Sequence, residues 1–396
     1  MMPLTQGCAT ILSHRRRRVD RGGKDPFGPI PNAILVTIPS PATAAMSSWQ
    51  GCRVPGPAAS APTRTRSGCF AMRMILDTDP GNGVPGADVD DGLAIGLALR
   101  SPEIELEAIT VVAGNVAVDR GVRGALEVLE AAGATHVPVH RGASRPLVQD
   151  PTAWRARLDG RRDEESAREH WRHLPVSRTA LAADPTPAAR VLVDRVDERP
   201  GEITVLAIGP LTNIATAMAI DPEWSQKIKQ LVVMAGAFDV PNVLHELNAA
   251  YDPEATHVVL NSGAPLLIVP LDVTLRTFMR LGDVDRLDAA GTPLATYLGR
   301  TARPWITWLA ERFGEDGCAL HDPLALAALL DPAVIGTRTA RVDVELRGRL
   351  TRGRMVSWDD EVLRGDLELP DLSPVLIADR VDNDLFMPLL LDRLTS

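Results

Sequence analysis

Five aspartates crowd into the fifteen residues DTDPGNGVPGADVDD: Asp77, Asp79, Asp88, Asp90 and Asp91. Carboxylates packed so closely repel one another, so either a positive group compensates them or some take up protons. A hard, oxygen-seeking cation, Ca²⁺ or Mg²⁺, is the simplest compensation. The alternative is a solvated acidic turn, since Asp and Gly are common turn residues. The flanks favour a site. The apolar run MRMIL ends at Leu76 just before it, and GLAIGLALR, apolar at Leu93, Ile95, Leu97 and Leu99, follows. The acidic segment therefore joins a first strand to a first buried helix. In an open parallel sheet, ligands bind at the carboxyl ends of the strands.

Three further polar loops follow the same pattern. Gly209-Pro210-Leu211-Thr212-Asn213 follows the apolar strand ITVLAI, Ile203 to Ile208. Residues 236–252, after LVVMA, carry His245, Glu246, Asn248 and Asp252, and His321-Asp322-Pro323 opens an apolar helix over 324–330. Parallel strands would bring all four loops to one edge of the sheet. The glycines at 81–86 have the wrong spacing for a dinucleotide fingerprint, and no Walker lysine follows.

Elements must position these loops. Ile104 to Ala113 and Leu231 to Ala235 read as strands, Val137 to His140 as a short one, and Leu266 to Pro270 as a strand reaching Asp272. Val118 to Ala132, 188–196, 213–220, 253–260 and most of 283–315 read as helices. Val342 to Leu346 and Arg354 to Trp358 read as a closing hairpin. Residues 149–186 are a polar insertion without a fixed pattern. Alternating strands and helices predict an α/β fold, a mostly parallel, doubly wound open sheet with a Rossmann-like core. Continuous apolar strands suit a sheet covered on both faces. A single domain over 73–396 is expected.

Composition narrows the partners. The hydrophobic fraction of 45% is that of a globular chain. No apolar run reaches the length of a membrane span. The net charge is −9, yet residues 1–72 hold nine Arg or Lys against only Asp20 and Asp25, so the body is strongly acidic. That argues against a nucleic-acid polymer as partner. Of the cysteines Cys8, Cys52, Cys69 and Cys318, one lies in the body, which fits neither a zinc site nor a disulfide framework and suits a cytoplasmic location. Residues 1–72, rich in Arg, Pro, Ala and Ser, read as a disordered extension or an over-long start, with a targeting peptide as the rival.

With these motifs in place, the chain resembles the inosine-uridine-preferring nucleoside hydrolase family. The resemblance rests on Asp77-Thr78-Asp79-Pro80-Gly81 with Asp90-Asp91, on Gly209 to Asn213, on Glu246-Leu247-Asn248 before Asp252 to Ala255, and on His321-Asp322-Pro323, in the family's order over 74 to about 360. It implies hydrolysis of the N-glycosidic bond of ribonucleosides to ribose and free base. It implies a Ca²⁺ site built from Asp79, Asp91, Asp322 and the backbone carbonyl of Thr212, with Asp79 also the general base. Asp90, Asn115, Asn242, Glu246, Asn248 and Asp322 would hold the substrate, and His321 would face the leaving base. Asp77 would orient its neighbours. Homodimers or homotetramers are the family's usual assemblies.

The chain departs from the family's pattern in three places. Asn82 to Val89 interrupt the opening motif, so Asp88 becomes a possible substitute ligand. The family's His-Gly-Glu segment is replaced by WRARLDGRRDEESAREHW, and the 236–248 loop is shorter. Trp305 and Trp308 suit a core more than a base-stacking platform, and His245 a structural or exposed place. Two other functions fit the residues less well. One is a phosphohydrolase with Asp77 or Asp79 as nucleophile, which lacks its downstream lysine. The other is a ribose- or nucleoside-binding protein without turnover.

Overall fold

Successive residues of the first strand enter different cores. In β1 (Met72–Thr78), Met74 and Leu76 join one apolar cluster and Ile75 joins another. The first cluster gathers Leu93 and Ile95 of α1 (Asp90–Leu99), Leu126 and Leu129 of α2 (Val118–Ala132), and side chains from the helices Pro293–Phe313, His321–Leu330 and Asn383–Thr395. The second gathers Leu192, Ile214 and Val259 from helices Ala188–Glu198, Thr212–Ile220 and Pro253–Leu260. Period-two alternation in a strand covered on both faces gives a continuous apolar run, as in ITVLAI. The computed structural model describes residues 71–175, 179–359 and 372–396. The chain divides into Met1–Cys52 and Arg53–Ser396, and every described residue lies in the second unit. The expectation for residues 1–72 falls, up to residue 70, outside the described residues.

The remaining strands are β2 (Ile104–Val111), β3 (Val139–Arg141), β4 (Ile203–Ala207), β5 (Gln230–Met234), β6 (Leu266–Val269), the short β7 (Phe278–Met279) and β8 (Cys318–Ala319), then β9 (Ile335–Val344), β10 (Met355–Trp358) and β11 (Val375–Val381). The main sheet has the order β3-β2-β1-β4-β5-β6-β11-β9-β10. Strands β3 to β11 along it are mutually parallel; β9 is antiparallel to both β11 and β10. The expected closing hairpin is thus present, as an edge extension of the sheet. β7 and β8 form a separate antiparallel pair.

Strand order reverses between β1 and β4, and such a switch point opens a crevice at the carboxyl ends of the strands. The polar insertion is helical: α3 (Thr152–Arg162) and α4 (Glu165–Trp171). No helix among the described residues is long and apolar enough to cross a membrane.

Asp252 ties this framework together. Its Oδ2 accepts from Thr212 Oγ1 at 2.7 Å and from the Leu147 amide at 2.9 Å, while Oδ1 caps the next helix at the Ala255 amide. Asp252→Ala would leave buried donors unanswered. The expected cost is on the order of 3 kcal/mol, read from urea unfolding. A loss within about 0.5 kcal/mol, typical of a surface change, would refute this bracing role.

Candidate active site

Asp77 shows how the switch point is held. Its Oδ1 accepts from Thr110 Oγ1 on β2 at 2.5 Å and from Asn213 Nδ2 after β4 at 2.7 Å. Asn213 Oδ1 in turn accepts the Ala143 amide after β3, so the Leu-Thr-Asn turn braces three strand ends. Asp77 Oδ2 is buried without a hydrogen-bond partner among the described residues. Burial pushes its pKa up to about 7 against the pull of Asn213 and Thr110. It is not among the residues that line the cavity described below.

Above it the chain turns into the acidic loop. The Asp79 amide donates to Asp91 Oδ1 at 3.0 Å, Thr78 Oγ1 donates to the same oxygen at 2.5 Å, and Asp79 Oδ2 accepts the Asn115 amide at 2.5 Å. A methyl group added at Gly114 would stand 2.1 Å from Asp79 Oδ2, so the turn after β2 needs glycine for this close approach. Gly114→Ala is expected to displace the Asp79 carboxylate and depress turnover more than stability, measured by steady-state kinetics beside a melting curve.

The excursion over 82–89 returns the chain to its starting point. Asn82 packs against Gly92, where an added Cβ would lie 2.2 Å from Nδ2, and its amide reaches the Val89 carbonyl at 3.3 Å. Asp90 and Asp91 then open α1, and the Asp90 carboxylate meets a second helix end. Its Oδ2 accepts the His321 amide at 3.0 Å and the Asp322 amide at 3.1 Å, where the helix dipole favours negative charge. The 321–322 segment is thus delivered by a helix start behind β8, not by a strand of the main sheet.

Asp90, Asp91 and Asp322 each present a carboxylate oxygen, and the three lie within 4.8 Å of one another. All three are buried. Burial, reinforced by mutual repulsion, raises the pKa of Asp90 and Asp322, and burial raises that of Asp91 and, with Asp91, that of Asp79. Three crowded, desolvated carboxylates suit a metal ion among them. The expected set named Asp79 where this cluster has Asp90; Asp79 stands beside it with its carboxyl turned to the Gly114–Asn115 turn.

Two expected residues are placed otherwise. The Thr212 carbonyl accepts from Thr216 Oγ1 within its helix, its hydroxyl serves Asp252, and it does not line the cavity. Helical carbonyls point along the axis, away from the strand end; Ile208, at the end of β4, lines the cavity instead. Asn242 is an exposed turn residue with φ 63° and also lies off the cavity.

The others converge on one cavity of about 250 Å³, lined by Asp79, Asp88, Asp90, Asp91, Asn115, Glu246, Asn248, His321 and Asp322. The stretch 247–251, expected as loop, is a short helix capped by Glu246, whose carboxylate accepts the amides of Gly236, Asn248 and Ala249. Asn248 Nδ2 donates to the Ile208 and Met234 carbonyls at 2.9 and 3.0 Å, which fixes the amide's orientation. His321 Nδ1 pairs with Thr274 Oγ1 at 2.7 Å, leaving Nε2 as its other edge. Burial lowers its pKa, opposed by Asp88.

His245 is exposed and lines the mouth. Trp305 lines the wall while stacked on the fully buried Trp308, ring centroids 5.3 Å apart, so it is both core and cavity. Sequence reasoning missed Trp154, Arg157, Leu158 and Arg161 of α3, which also line the cavity. No side chain of α3 is buried, so the helix carries no apolar stripe that would have announced it.

Known proteins are similar to this chain. The family model for inosine-uridine preferring nucleoside hydrolase matches residues 74–388. The pyrimidine-specific ribonucleoside hydrolase RihA of Enterobacter sp. is 34% identical over 335 residues, 83% of this chain and 99% of that one. The plant nucleoside hydrolase PpNRh1 superposes with TM-score 0.71 at 29% identity, covering 82% of this chain and 99% of that one. The purine-preferring ribonucleoside hydrolase from Gardnerella vaginalis does so with TM-score 0.69 at 30% identity, covering 82% and 98%. Motif order, sheet order and the extent of these matches agree: this chain is a member of the inosine-uridine preferring nucleoside hydrolase family.

Proposed function

We propose that the protein hydrolyses the N-glycosidic bond of ribonucleosides, releasing ribose and the free base. The observation that carries this reading is the convergence of the Asp90–Asp91–Asp322 cluster with Asp79, Glu246, Asn248 and His321 in one cavity. Breaking the bond from C1′ to the base nitrogen builds positive charge on the sugar, as in other glycoside hydrolysis. Carboxylates fixed around the ribose stabilise that charge without having to reorganise.

Asp79 takes the proton of the attacking water; the Asn115 amide on its Oδ2 orients the carboxyl for this. Asp90, Asn115, Glu246, Asn248 and Asp322 hold the ribose hydroxyls, and Asn242, exposed in its turn, is left out of that set. A pentose lacking a hydroxyl is rejected because buried polar groups would go unpaired. His321, held by Thr274, borders the leaving base.

The donor set is entirely oxygen, which suits Ca²⁺. Asp91 and Asp322 are common to the resemblance and to the observed cluster, and we assign them as ligands, with Asp79 and Asp90 beside them; to the Ile208 carbonyl, which also accepts from Asn248 Nδ2, we assign the place expected of Thr212. When bound, the cation supplies a Lewis acid that makes water a better nucleophile.

The test is an incubation of the full chain with purine and pyrimidine ribonucleosides. Equal amounts of reducing sugar and base should appear, cease with a chelator and return with Ca²⁺. Tight nucleoside binding without base release would reduce the protein to a binding module, and phosphate release from phosphomonoesters would replace the reaction.

A further inference from the structure

The cavity has two electrostatic halves. Its floor is acidic, with Asp79, Asp90, Asp91 and Asp322, while α3 brings Arg157 and Arg161 to its wall. The two arginines differ. Arg157 is exposed, with its guanidinium 5.8 Å from the Trp154 ring centroid. Arg161 is half-buried, and its guanidinium makes neither a hydrogen bond nor an ion pair with any described residue. A guanidinium taken partly out of water without a partner is costly, and such a group persists where a ligand completes it.

Its surroundings are built. Gly86, with φ +71°, lies directly against Arg161, where an added Cβ would stand 2.8 Å from the arginine Cβ. The 82–89 excursion is therefore packed on α3. Two residues later, Asp88 lines the same cavity, close enough to Asp90 for the two carboxylates to repel each other. Asp88 attracts Arg161 without forming an ion pair with it. Both residues come from the segments that depart from the family's pattern, and both line the cavity.

We propose that Arg161 is a catalytic residue that stabilises the departing base, with Asp88 orienting the base edge beside it. This rests on the N-ribohydrolase reading. As the C1′–N bond breaks, its electron pair leaves with the base, and water oxygen bonds to C1′ while Asp79 takes the water proton. The base departs as an anion paired with the guanidinium and takes its proton from solvent through the cavity mouth. A planar guanidinium fork matches a ring carbonyl beside a ring nitrogen, so bases carrying ring carbonyls, such as uracil and hypoxanthine, are the class it fits. A phosphate, with up to two negative charges, is repelled by Asp88 and the acidic floor more strongly than a singly charged base.

The experiment compares R161Q with wild type on uridine, inosine and 4-nitrophenyl riboside, whose leaving group needs little help. R161Q should lose on the order of a hundred- to thousandfold in kcat/KM on the nucleosides and about tenfold or less on the nitrophenyl riboside. Inhibition by free ribose should be unchanged, which shows an intact sugar site, and R161K should recover part of the loss. An equal loss on both substrate types, or no loss on nucleosides, overturns the proposal. So does a wild-type preference for nucleoside 5′-phosphates that disappears in R161Q. Wild type inactive on all three ribosides would instead remove the hydrolase reading, and this proposal with it.

Discussion

Asp79→Asn is expected to keep the fold and lose turnover by about a hundred- to ten-thousandfold, the usual worth of a positioned general base. The amide oxygen can still accept the Asn115 amide, so the turn after β2 stays closed. What disappears is the capacity to take a proton. Kinetics alone would not separate a base from a metal ligand, so calcium affinity is measured on the same variant by calorimetry. If affinity is nearly kept while turnover falls, Asp79 is the base standing beside the cluster. Turnover near the wild-type rate would remove Asp79 from the chemistry.

Asp322→Ala should act on the ion first. Asp322 is common to the expected ligand set and to the observed cluster, and its own amide binds Asp90 Oδ2. Removing its carboxylate should cost calcium more than about a hundredfold in affinity, beyond the ten- to hundredfold typical of outer-shell changes. Activity should fall with it and recover little at high calcium, because a ribose contact is lost as well. Without divalent ions, the same variant should melt higher than wild type, since one of three crowded, buried carboxylates is gone. Undiminished calcium affinity would show that the cluster is not the metal site. A metal-free variant less stable than wild type would show that the carboxylate holds the fold rather than straining it.

In the proposed mechanism, Arg161 and these two aspartates divide the reaction spatially. Under the proposed roles, water activation and sugar recognition sit on the loops after β1, β2 and β5 and on the helix start at His321–Asp322. Departure of the base is assigned to α3, a helix that lines the cavity. Such a helix can vary without disturbing the sheet, which is consistent with relatives whose names state opposite base preferences.

Much of this was legible before any coordinates. The acidic run between MRMIL and an apolar helix, the strand ITVLAI and the order of four polar loops determined a doubly wound sheet with its site at the carboxyl edge. Burial periodicity is a local property, and a local pattern suffices to read it. Three things were decided only by the tertiary structure. Whether Asp88 enters the cavity depends on how Asn82, Gly83 and Gly86 fold the excursion back, and positive φ at the two glycines is invisible in composition. Whether Ile208 or Thr212 lines the cavity depends on the residue at which strand becomes helix, a boundary that periodicity blurs. Whether Asp90 or Asp79 joins Asp322 depends on the angle at which two helix starts meet, more than two hundred residues apart in the chain. Side-chain direction at such a junction follows from packing between distant elements, and no window of neighbouring residues encodes it.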